Sequence, residues 1–141
     1  MTNQIMLQFP PKRGEIFMCD FAGLEIPEMT KKRPVIILTS RAVGRDYRLV
    51  TVIPLSTTPP RKVEKWHMEL DKKYLPQRHY LFKHQNWVKG DMIYNLSTER
   101  LELIRIGKDE NGKRVYFKKR IPKETFEKVV ACVLSGLDIK V

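Results

Sequence analysis

Two apolar runs decide how this chain folds: Lys32-Arg33-Pro34-Val35-Ile36-Ile37-Leu38-Thr39-Ser40, and Leu49-Val50-Thr51-Val52-Ile53-Pro54-Leu55-Ser56-Thr57-Thr58-Pro59-Pro60. Both are dominated by valine and isoleucine, and turn-forming Gly44 and Asp46 lie between them. Short β-branched runs bounded by turn residues read as strands, and two in succession read as a buried hairpin. Arg33 opens the first strand; Ser56 and Thr57 close the second. In an antiparallel pair the start of one strand lies beside the end of the next. The pattern therefore predicts a guanidinium and one or two hydroxyls together at one end of a sheet, a combination suited to a phosphodiester.

Working outward, Gly14-Glu15-Ile16-Phe17-Met18-Cys19-Asp20-Phe21 alternates as a first strand, with Ile16 and Met18 on one face and Phe17 and Cys19 on the other. The segment from Ala22 to Lys32 reads as a loop long enough to carry function. After the hairpin, Pro59 to Lys65 is a second, basic loop, and Trp66 to Leu70 reads as a fourth strand. Asp71 to Lys89 is irregular, a loop with a short strand or turn. Asp91 to Leu96 reads as a strand, Ser97 to Leu101 as a turn or single helical turn, and Leu101 to Ile106 as a partly alternating segment. Asn111-Gly112 is a hairpin signal, with Val115-Tyr116-Phe117 as the return strand. From Pro122 to Leu137, Phe126, Val129, Val130, Val133, Leu134 and Leu137 recur at helical spacing, with Pro122 suited to the first helical position. The sum is a mainly antiparallel, curled sheet with a C-terminal helix, in one domain spanning 1–141.

Charge is the strongest bulk signal. Lys and Arg total 27 against 16 Asp and Glu, a net charge of +11. The cations cluster: Lys31-Lys32-Arg33, then Arg41, Arg45 and Arg48, then Arg61-Lys62, then Lys118-Lys119-Arg120. An anionic partner follows, nucleic acid or acidic protein. A membrane is disfavoured, because no apolar run approaches a span and the cations do not lie on an amphipathic helix. Met1 to Pro11 lacks the layout of a signal peptide, and Cys19 and Cys132 read as reduced core thiols, so the expected location is the cytoplasm. His67, His79 and His84 lack metal-ligand spacing, so neither metal nor cofactor is expected. No Gly-rich phosphate loop or nucleophile elbow is present.

Arg13-Gly14-Glu15-Ile16, Lys32-Arg33-Pro34-Val35-Ile36-Ile37 and Val52-Ile53-Pro54-Leu55-Ser56-Thr57-Thr58 resemble the PemK/MazF toxins of type II toxin–antitoxin systems. His67-Met68-Glu69-Leu70, Arg100-Leu101 and the C-terminal helix fit the same family more loosely. The resemblance implies an SH3-like curled antiparallel β-barrel, a homodimer, and a metal-independent endoribonuclease cutting single-stranded mRNA. It also implies a cognate antitoxin with an acidic tail. Carried to this chain, it names Arg33 and Ser56 as catalytic. Thr57 is an alternative hydroxyl, because many relatives have Thr where Ser56 stands, and Glu28 is a loop carboxylate as in some relatives.

The chemistry needs little of the protein. RNA supplies its own nucleophile, the 2′-OH, and Arg33 can fork onto non-bridging phosphate oxygens while a hydroxyl donates to a third. Arginine is a poor base, which leaves Glu28, Glu25, Asp20 or a histidine for proton transfer. RNA is expected along Lys31, Lys32, Arg61, Lys62, Trp66 and His67, with bases stacking on Trp66, Tyr74, Tyr80 or Trp87. Two other readings stand beside this one: a CcdB-like toxin poisoning gyrase by contact, and a nucleic-acid-binding module without catalysis.

Overall fold

The computed structural model describes residues 10–39, 48–76 and 79–140. The expected turn at Gly44 and Asp46, the cations Arg41 and Arg45, and the segment before Pro10 lie outside them. So does the side chain of Tyr80.

Strands β1 (Ile16–Asp20), β2 (Lys32–Ile37) and β3 (Leu49–Ser56) form an antiparallel meander. β3 is the hinge of the sheet. One edge pairs with β2; the other serves β6 (Tyr94–Ser97) over Leu49 to Val52 and β5 (Asn86–Lys89) at Leu55 and Ser56. β4 (His67–Leu70) extends the sheet beyond β5, and β7 (Leu101–Glu102) extends it beyond β1. This strand of eight residues changes partner midway along that edge.

Both faces of this sheet are covered, which is why β2 and β3 read as continuous apolar runs rather than alternating ones. Ile16, Met18, Ile36, Ile53 and Leu55 pack in one core with Val88, Phe82 and the helix residues Val129 and Cys132. Phe17, Cys19, Val35, Ile37, Val50 and Val52 pack in a second core with Phe21 and Leu101. The expected alternation of β1 is observed residue for residue.

Several boundaries differ from expectation. Asp91 and Met92 belong to a turn, closed by Met92 N–H on the Lys89 carbonyl at 3.0 Å, so β6 starts at Tyr94. The run from Leu101 to Ile106 splits: β7 pairs with β1, and β8 (Arg105–Lys108) pairs with β9 (Arg114–Tyr116) in a separate hairpin. That hairpin turns at Asn111-Gly112 as expected, with Asp109 Oδ1 accepting from the N–H groups of Asn111 and Lys113. Pro122 caps helix α1 (Lys123–Gly136) from outside, with ψ 153°, instead of occupying its first turn. The buried stripe of α1 is centred on Val129 and Cys132, and Leu137 is left 49% exposed. The helix sits that way because its last turn meets the backbone at Gly90.

Candidate functional site

The site follows from strand register. β2 and β3 pair Val35 with Pro54, Ile36 with Ile53 and Ile37 with Val52. The ladder ends at Val35 and Pro54, and Arg33 and Ser56 each lie two residues beyond that last pair, toward the same end of the sheet. On the other edge of β3, Ser56 pairs with Trp87, and Trp87 with Glu69. Directly opposed residues in antiparallel strands present the same face. Ser56, Trp87 and Glu69 therefore form one row across β3, β5 and β4, and Arg33, two residues before Val35, lies on the same face, that of the second core.

Arg33 is half-buried, and its guanidinium has no hydrogen bond or ion pair among the described residues. Ser56 is 8% exposed. Its Oγ donates to the Thr58 carbonyl at 3.3 Å and accepts from the Thr58 N–H at 3.1 Å, closing the turn that leads into Pro59-Pro60. Thr57 is half-buried, and its hydroxyl has no hydrogen bond among the described residues. Trp87 is half-buried, with its Nε1 buried and without a partner among the described residues.

The carboxylates are placed differently from one another. Glu28 Oε1 accepts from the Glu25 N–H at 3.1 Å, while Glu28 N–H donates to the Glu25 carbonyl at 2.7 Å, so Glu28 closes its own turn. It makes no ion pair with Arg33. Asp20 Oδ1 accepts from the Ala22 N–H at 2.9 Å. Glu25 is exposed. Glu69, in the row with Ser56, is exposed as well.

Sequence reasoning missed the groups that hold the loop beside Arg33. Arg100 donates to the carbonyls of Asp20 (3.0 Å) and Ala22 (2.8 Å), pinning the start of the loop. Tyr94 Oη accepts from the Met29 N–H at 2.9 Å, and its ring packs 5.0 Å from Phe21. Burial pushes the Cys19 thiol, opposite Arg33 on β1, up to about 12; the nearby Arg100 charge opposes this and Asp20 adds to it.

The expected RNA contacts divide. Lys31 and Arg61 are exposed and unpaired among the described residues. Lys32 bonds Glu102 at 3.0 Å, which raises its pKa. Lys62 lies 3.9 Å from Glu64. His67 Nδ1 accepts from the Glu64 N–H at 3.0 Å, which leaves its other nitrogen to carry the proton in the neutral ring. Trp66 is half-buried, edge-on to His67 at 5.6 Å. Among the described residues no cluster of His, Cys, Asp and Glu could hold a metal ion, and no helix is long and apolar enough to cross a membrane.

Residues 12–136 match the family model of the PemK-like, MazF-like toxins of type II toxin–antitoxin systems. A protein of Haemophilus influenzae is 28% identical over 142 aligned residues, covering 93% of this chain and 92% of its own length. Among solved structures, a mycobacterial endoribonuclease in complex with its cognate antitoxin superposes with a TM-score of 0.62 at 18% identity, covering 93% of this chain and 98% of that one. MazF from Deinococcus radiodurans superposes with a TM-score of 0.61 at 16% identity, covering 94% and 100%.

Proposed function

Since the chain belongs to the PemK-like, MazF-like toxin family of type II toxin–antitoxin systems, we propose that it is a metal-independent endoribonuclease cutting single-stranded mRNA. The 2′-oxygen attacks the adjacent phosphorus, the bond to the 5′-oxygen breaks, and the products carry a 2′,3′-cyclic phosphate and a 5′-OH. Arg33 neutralises charge on the non-bridging oxygens, and the Ser56 hydroxyl, or Thr57 in its place, donates to the phosphate. Glu28, Glu25, Asp20 and Glu69 are the carboxylates from which the base is drawn.

The observation that supports this reading is that Arg33 and Ser56 lie on one face, each two residues beyond the last β2–β3 pair, with the guanidinium unengaged among the described residues. A half-buried arginine without a protein partner has its fork available for an anion, and removing such a donor from a transition state costs roughly 10²- to 10³-fold in rate. The wider reading is an SH3-like barrel in a single domain, acting in the cytoplasm as a homodimer restrained by an acidic antitoxin. The relative solved with its antitoxin supports that last element.

The test is cleavage of single-stranded RNA by purified protein in EDTA, with end mapping. A strict requirement for magnesium would sink the mechanism. A second reading, toxicity by contact with gyrase, gains support from the C-terminal end, where Leu137 and Ile139 are each 49% exposed. Supercoiling by gyrase in the presence of the protein separates the two.

A further inference from the structure

At the far end of β2 from Arg33, the chain builds a second basic surface. The segment from Lys118 to Ile121 runs antiparallel beside the start of β1: Glu15 bridges Arg120, and Ile121 N–H donates to the Gly14 carbonyl at 3.0 Å. Two arginines are fixed there through Nε alone. Arg13 Nε donates to the Leu38 carbonyl at 3.0 Å, with the guanidinium over the Phe126 ring at 5.7 Å. Arg120 Nε donates to the Arg13 carbonyl at 2.9 Å. The terminal amino groups of both have no partner among the described residues. Lys118, Lys119 and Lys123 flank them, exposed and without ion pairs among the described residues. The Glu15 carboxylate lies within this surface and accepts from the Lys12 backbone N–H, and exposed Glu124 follows Lys123 in the first turn of α1.

We propose that this surface, built on Arg13 and Arg120, is a second contact for the phosphate backbone of RNA, separate from the cleavage site. An arginine held by Nε keeps its terminal fork in a fixed orientation, and a fixed fork loses less entropy when it takes a phosphate. Phosphate contacts position nucleic acid without reading its sequence. An acidic protein partner fits less well. Stable protein interfaces are anchored by apolar or aromatic side chains at their centre, and the exposed large apolar residues, Ile26, Leu49, Val63, Leu137 and Ile139, are not among those that build this surface. From Arg33 to Leu38 the strand rise gives a separation of about 17 Å. A dinucleotide in the cleavage site has one phosphate and does not reach this surface, and long RNA does. The proposal rests on RNA being the substrate.

The test compares wild type with Lys118→Gln/Lys119→Gln/Lys123→Gln, which leaves both arginines and their backbone bonds in place. A dinucleotide and an RNA of about 30 nucleotides are used, with melting curves as a folding control. For the long RNA, the triple variant is expected to bind at least tenfold more weakly near 0.15 M salt. Its slope of log affinity against log salt should shrink by about 2, from three lost contacts at about 0.7 each. Cleavage of the dinucleotide should not change. Long-RNA affinity and slope unchanged within twofold, with wild type cleaving both RNAs, would overturn this surface alone. So would an equal loss on both lengths, or a loss of poly-glutamate binding with RNA binding intact. Wild type that binds long RNA without cutting it, and weakens in the variant, supports the surface and removes the nuclease reading. Wild type that binds no RNA overturns both.

Discussion

Gly136, in the last turn of α1, meets Gly90 backbone to backbone: a Cβ on Gly136 would lie 2.5 Å from the Gly90 carbonyl carbon, and one on Gly90 would lie 2.0 Å from the Cys132 carbonyl oxygen. The obstructing atoms are main chain, so no side-chain rotation relieves the clash. Alanine at position 136 favours the helix by about 1 kcal/mol, whereas overpacking costs roughly 1–3 kcal/mol. The clash wins. Gly90→Ala and Gly136→Ala should each lower stability in urea titrations, Gly90→Ala by more. An Ala at either site as stable as wild type would mean that the helix docks elsewhere.

Cys19 gives a pH prediction. Its folded-state thiol is raised by burial to about 12, from an ordinary value of 9.0. Between these values the unfolded chain loses the proton and the folded chain keeps it. The unfolded state thus binds fewer protons, and stability falls as pH rises from about 9. The limit for one group is about 1.4 kcal/mol per pH unit. Cys132, also raised by burial, adds in the same direction. Urea midpoints measured from pH 8 to 11 should fall, and Cys19→Ala should flatten part of the decline while lowering stability at pH 7. Thiol reagents at pH 8 should label the native protein slowly and the unfolded protein fast.

The β1–β3 meander and α1 were legible because each carries a local signal: β-branched runs, alternation, helical spacing. The expectation that Arg33 and Ser56 lie toward one end of the sheet rests on the same kind of local signal, since a hairpin sets which strand ends are neighbours. Glu69 and Trp87 were not found as partners of Ser56, because their alignment depends on register through β3, β5 and β4. In the sequence Arg100 carries no signal beyond the likeness of Arg100-Leu101 to a family pattern. Its bonds run to carbonyls 78 and 80 residues away, which no periodicity reports. Cys132 replaced Leu137 on the buried stripe because Gly90 and Gly136 let the helix close on the sheet at one end.

Arg33 should matter for rate and hardly for folding. It has no partner among the described residues, so Arg33→Ala removes no ion pair. Single-turnover cleavage in EDTA should drop 10²- to 10³-fold, with the melting temperature shifted by no more than a few degrees. Arg33→Lys keeps the charge and loses the planar fork, and should recover only a small part of the rate. Full activity in Arg33→Ala would remove it from the mechanism.

Ser56 and Thr57 can be separated because only one of them is already engaged. The Ser56 hydroxyl holds its turn through Thr58, so Ser56→Ala should cost about 1 kcal/mol of stability. It lies on the same face as Arg33, so the same change should also slow cleavage by about 10²-fold. Thr57 lies one residue on, past the end of β3. Thr57→Val keeps its shape and removes the hydroxyl, and should change both quantities little. A Ser56→Thr variant should restore most of the rate, because a hydroxyl returns at the same Cβ. If Thr57→Val abolishes cleavage while Ser56→Ala only loosens the turn, the phosphate contact belongs to Thr57 and the row through Ser56 is structural.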